Sequence, residues 1–139
     1  MRKIAGLDKV RVTVGYHHDD DHEGTPTATI AAVHEFGRED GSVPPRPTLG
    51  PTADANAGKY LDNLRRLFGE AVEGKRTLVG AAHVFGSGVV ADVKRAITAL
   101  TSPPLADSTI ARRKHGGTKP LIDTGAMRDQ VGHEVQVKP

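Results

Sequence analysis

The sequence predicts an α+β fold in which a small sheet, including the N- and C-terminal strands, packs against two long amphipathic helices and carries an extended Pro-rich arm. Three patterns lead there. Valines alternate with polar residues near both ends of the chain, apolar residues recur at helical spacing through its middle, and prolines crowd the stretch just before that middle. A length of 139 residues suits one domain spanning 1–139, because a second hydrophobic core of useful size needs more chain.

The elements follow in order. Val10, Val12 and Val14 alternate with Arg11, Thr13 and Gly15, so residues 10–15 put three β-branched side chains on one face of a half-buried strand. Residues 17–26 form a loop rich in acidic residues and histidine. Residues 27–37 predict a short helix with a Thr near its start, Gly37 as its stop, and Ile30 and Val33 on its buried side. Four prolines exclude a helix from residues 42–51, because each lacks an amide donor and biases the preceding residue toward extended geometry.

The span 53–100 predicts a helical hairpin. Tyr60, Leu61, Leu64, Leu67, Phe68, Ala71 and Val72 share one helical face between about residues 53 and 74. Leu78, Ala82, Phe85, Val89, Val93, Ile97 and Leu100 keep that spacing in a second helix, where Gly86 and Gly88 predict a weak point, a kink or a close-packing point. Residues 107–130 hold short helices and turns: a capped helix from Asp107, a Gly116-Gly117 turn, then Asp123 or Thr124 capping a helix through Met127 and Arg128. Val131, His133, Val135 and Val137 alternate with polar residues, so 131–137 predict a second strand able to pair with the first.

Composition bounds the function. Hydrophobic residues make up 37% and aromatics only 4%, so the core is built mainly from Val, Leu, Ile and Ala and is thin. With 16 Gly and 9 Pro, much of the chain is turn or arm, and part of its stability is expected to come from neighbouring subunits. A net charge of +2 with both signs scattered does not demand a nucleic-acid partner. The absence of cysteine excludes disulfides and thiolate metal sites. The opening residues lack the apolar run of a signal peptide, and no stretch approaches the roughly 20 apolar residues of a membrane span, so no membrane partner is expected.

Several clusters carry donor chemistry. His17, His18, Asp20 and His22 place imidazoles beside carboxylates and are candidate ligands for a divalent cation, although a contiguous charged run reads more simply as a solvated loop. Asp123-Thr124-Gly125 matches the active-site turn of retroviral-type aspartic proteases, yet only 14 residues follow Gly125, too few for the flap such an enzyme needs. A helix-capping turn is the simpler reading. His34 lacks a His-x-x-x-His partner, and its place near the negative end of a helix accounts for it. Gly86-Ser87-Gly88 lacks the strand and Lys of a phosphate loop. Arg112, Arg113 and Lys114 form the local basic cluster; they suit a solvated face or subunit contact, with non-specific DNA contact as the alternative.

The pieces His34-Glu35-Phe36-Gly37, Val43-Pro44-Pro45-Arg46-Pro47-Thr48-Leu49, Ser108-Thr109-Ile110-Ala111-Arg112-Arg113-Lys114 and Pro120-Leu121-Ile122-Asp123-Thr124-Gly125-Ala126-Met127-Arg128 occur in that order. This ordered set, across about residues 27–137, resembles the phage virion-morphogenesis family of neck and tail-completion proteins, with its Mu-like and related members. Thr48 stands where the family usually has an aromatic and Met127 where Leu is common, and the 17–23 loop lies outside the family pattern. The resemblance implies a structural virion protein, without cofactor or catalytic residues, present in the host cytoplasm during assembly and then in the virion. It implies self-association into a ring, with a hexamer as one size, that joins the tail tube or tail terminator to the head connector or adaptor. Phe36, Arg46, Pro47, Asp123, Thr124 and Arg128 are the interface candidates, the arm around Arg46 serving either subunit contact or its own anchoring. The rival functions are a connector module meeting DNA through residues 112–119, and a hydrolase using Asp123 or the His-Asp loop.

Overall fold

In the computed structural model, which describes residues 7–17, 21–22 and 24–139, the α+β architecture is as predicted. A single 3-10 turn at Leu7–Lys9 leads into strand β1, Val10–Gly15. Two-residue strands β2, Asp21–His22, and β3, Thr25–Pro26, pair with each other before helix α1, Thr27–Phe36. The helices α2, Leu49–Ala55, α3, Ala57–Val72, and α4, Leu78–Ala99, follow the arm. Short helices α5, Asp107–Arg112, and α6, Ala126–Asp129, precede the last strand β4, Gly132–Val137.

The terminal strands pair antiparallel along their full length, with Val10 opposite Val137, Val12 opposite Val135 and Val14 opposite His133. Opposed residues share a face, so the valines of both strands form one apolar surface. Two strands alone are marginal in water, and this pair is backed by α4. Val93 and Ile97 of α4 meet Leu121 and Val131 in the buried core, with Val14, Val89, Leu100 and Met127 packed around them. Leu67 of α3 and Ala81 and Ala82 of α4 are buried where the hairpin closes, and Tyr60 meets Phe85 edge to face at 5.8 Å. Buried Asp92 of α4 receives the ammonium of Lys59 from α3, which ties the two helices through an ion pair as well.

Four details depart from the sequence reading. The arm does not stay extended to residue 51: Leu49, Gly50 and Pro51 form the first turn of α2. A first-turn amide has no acceptor within its own helix, so Pro51 gives up nothing there. The helix expected from residue 53 to 74 divides at Asn56, whose side chain bonds back to the Thr52 carbonyl at 2.8 Å, and the amphipathic face belongs to α3 alone. In α1 the residue before the helix is Pro26 and no side chain caps it; Thr27 and Ala31 are buried, while Ile30 and Val33 are half-buried. No side chain caps α5 either, and Asp107 lies within its first turn, where its charge favours the helix N-terminus.

Helix α4 runs unbroken through both glycines. Gly86 is a close-packing point: a Cβ there would lie 2.5 Å from the His133 ring, so its absence lets α4 approach β4. Thr77 accepts the Gly80 amide at 3.0 Å and caps α4.

Candidate functional site

The end of α1 organises the region that the sequence motifs occupy. Glu35 reaches across to the start of α2, where one carboxylate oxygen accepts the amides of Thr48 at 2.7 Å and Leu49 at 3.1 Å and the other accepts Gly50 at 2.9 Å. Three donors at a helix N-terminus therefore find an acceptor from another helix, and the negative charge lies where the helix dipole favours it. Gly37, at φ 76°, turns the chain back so closely that a Cβ would lie 2.9 Å from the Val43 carbonyl. The Arg38 amide donates to that same carbonyl at 3.0 Å, and Asp40 accepts both the amide and the hydroxyl of Ser42, closing the turn. Hydrogen bonds from Ser42 hold the Asp40 carboxyl below the usual carboxylate range.

Arg46 completes the attachment. Its amide donates to the His34 carbonyl at 2.6 Å, and its guanidinium donates through Nε to the Pro103 carbonyl at 2.8 Å and through Nη2 to the Pro104 carbonyl at 2.9 Å. The side chain is only 4% exposed. Arg46 is thus an internal strut that anchors the arm, the second of the two roles expected of it.

Arg113 works in the same way on a different loop. Nη1 donates to the carbonyls of Gly117, Lys119 and Ile122, and Nη2 to that of Pro120, so one guanidinium gathers the 117–122 loop around itself. Of the basic cluster, Arg112 bonds the Ser108 carbonyl and lies at the surface with Lys114, whereas the fork of Arg113 is directed inward. Its expected availability to a phosphate backbone is corrected accordingly.

The third motif closes over the first. Gly125, at a left-handed φ of 85°, is the residue before α6 and no side chain caps that helix, so neither Asp123 nor Thr124 is the expected cap; Thr124 instead accepts the Ala126 amide at 3.2 Å across the turn. Thr27, Ile30 and His34 of α1 then face Arg113, Leu121 and Met127 across a cleft of about 170 Å³, with Asp123 and Thr124 exposed at its edge. Burial lowers the His34 imidazole below its ordinary range, and the charges of Arg46 and Arg113 lower it further. Its Nδ1 and the Thr27 hydroxyl are buried without a protein partner.

The structure therefore brings the His34–Gly37, Arg46 and 120–128 segments together. Phe36 stands out from it with 80% of its surface exposed. Pro47 is exposed as well, while Arg128 is half-buried and donates to Asp129 at 2.9 Å.

Most of the candidate metal-ligand cluster lies outside the described side chains. His17 bonds the Thr13 hydroxyl at 2.9 Å, His22 is described only as backbone in β2, and His18 and Asp20 lie outside the described residues. Among the described residues no three or more His, Asp or Glu side chains come together as a metal site. A histidine pair that sequence reasoning missed does form: His83 Nδ1 of α4 lies 3.1 Å from His133 Nε2 of β4. Burial, then the neighbouring His83 and His17, lower the His133 imidazole below its ordinary range. Fifty residues separate the pair, so neither periodicity nor spacing could have joined them.

No protein-family model, curated protein or solved structure matches the chain.

Proposed function

We propose that the chain is a structural protein of a tailed-phage virion that assembles into a ring at the head-tail junction and acts by association rather than catalysis. The observation that carries this reading is the construction of the α1 end. Glu35 and Arg46 are both spent on backbone groups of their own chain, and between the segments they tie down a phenyl ring stands in solvent. Fixing an exposed aromatic on a rigid support lowers the ordering cost of binding, which is what an assembly contact needs. The thin core fits a subunit that gains stability from its neighbours: among the described residues only Leu67 and Ile97 are large side chains that are fully buried.

On this reading the ring partners are further copies of the chain, with the head connector or adaptor on one side and the tail terminator or tail tube on the other. Ring size follows from the angle between neighbouring subunits. Electron microscopy of the purified chain tests the reading: closed annuli of uniform diameter are expected. Their absence at every protein concentration, or open filaments in their place, overturns it.

A further inference from the structure

Four of the chain's five aromatic side chains, Tyr16, Tyr60, Phe68 and Phe85, are at least half-turned into the fold, and Phe36 alone is exposed. Elsewhere, between β1 and the α3–α4 hairpin, lies an apolar pocket of about 180 Å³. Val10 and Val12 form one wall, with Leu64, Phe68, Ala82 and Phe85 among the residues opposite. Apolar cavities of roughly 150 Å³ stay dry and accept a benzene ring, so this pocket has the size and chemistry for a phenyl group. Phe36 is not among its lining residues.

From this knob and this socket we infer a head-to-tail contact in which Phe36 of one copy enters the β1–α3–α4 pocket of the next. The inference rests on the ring reading above and names its interface.

Three observations favour a second copy as the occupant. One chain carries both an exposed phenyl ring and a phenyl-sized pocket that it does not fill itself, and because these are different patches the contact is heterologous, the kind that closes into a ring when the rotation between subunits allows. The socket also has an apolar surround. Leu61 lies three residues before Leu64, Val72 four residues after Phe68 and Val79 three residues before Ala82, and these three side chains are 48%, 44% and 37% exposed. Positions three and four apart on a helix are surface neighbours, so this exposed apolar area is contiguous with the pocket mouth. The knob, finally, is held firmly from behind: Gly37 packs on Val43 and Pro45, and Glu35 is anchored on three amides. An aromatic anchor in a pocket ringed by apolar contacts is the usual arrangement of an interface hot spot.

The test uses two variants of the full chain that each disable one half of the contact. Phe36→Ser removes the knob, and Ala82→Phe fills the socket; Leu64→Lys serves as a second socket variant should Ala82→Phe lower the melting temperature. Light scattering on each alone is expected to show assembly shifted to roughly 10- to 100-fold higher concentration than for the unmodified chain. An equal mixture of a knob variant and a socket variant retains one intact contact per pair. It is expected to give a dimer of twice the 14.7 kDa chain mass and nothing larger.

A mixture that stays monomeric overturns the head-to-tail contact. Rings that persist undiminished in Phe36→Ser overturn this interface and leave the ring reading intact. An unmodified chain that never self-associates overturns both.

Discussion

Between the sheet and α4 the contacts are apolar: Val93 and Ile97 press on Leu121 and Val131, and every contributor could be exchanged for another aliphatic of the same volume. Around α1 the contacts are polar and directional. Glu35 caps α2, Arg46 bridges to Pro103 and Pro104, and Arg113 collects four carbonyls, each bond made by a side chain to backbone from a distant or looping segment. A chain with only 4% aromatics thus orders its arms without a larger core. Charged side chains take over where apolar burial runs out, and they do so by satisfying backbone groups that would otherwise be left unpaired.

Ile97, fully buried, is the centre of the apolar half, and Ile97→Ala is expected to lower stability by about 4 kcal/mol in urea denaturation. Arg46→Ala takes away both guanidinium bonds and is expected to lower stability by about 3 kcal/mol. Arg46→Lys should recover only part of that, because an ammonium cannot fork onto two carbonyls. Full recovery by Lys would mean that charge alone, rather than the planar fork, holds the arm.

Gly86→Ala places a methyl 2.5 Å from the His133 ring and is expected to cost about 2 kcal/mol. The same change in a His133→Ala background should cost much less, and a double-mutant cycle with no coupling would separate Gly86 from the α4–β4 approach.

The smallest effect is on pH dependence. His34 and His133 both titrate below the ordinary imidazole value of 6.5 in the folded chain. The unfolded state therefore binds more protons as pH falls through about 6.5, so the stability contributed by the two neutral imidazoles is present above that value and lost below it. Melting temperature is expected to decline between about pH 7 and about pH 5, and less steeply in His34→Asn and His133→Asn. A decline as steep in the variants as in the unmodified chain would assign it to the carboxylates instead.

This division also decided what the sequence made legible. The alternating valines of β1 and β4 and the periodic faces of α3 and α4 report apolar burial, which leaves a trace at fixed spacing. Their pairing could be anticipated for the same reason. Glu35, Arg46 and Arg113 left no such trace, because their partners are carbonyls and amides, and the backbone carries no residue type to recognise. Glu35 as an acceptor for Thr48, Leu49 and Gly50 also explains why α2 begins inside the proline cluster, a start no local propensity signals. Arg46 stood out in the motif, but whether it met a neighbouring subunit or held its own arm depended on the Pro103 and Pro104 carbonyls, 57 and 58 residues away. Asp123-Thr124-Gly125 was legible as a turn; that Gly125, and not Asp123 or Thr124, stands directly before the helix was not, because a glycine offers no capping side chain to recognise.

The measurement that bears most directly on the central claim is the solution mass of the unmodified full chain by light scattering across a concentration series. A single closed multiple of 14.7 kDa that grows in with concentration and then stops is the predicted result, because a ring has no free contact left once it closes. A mass of 14.7 kDa at every concentration would contradict the account.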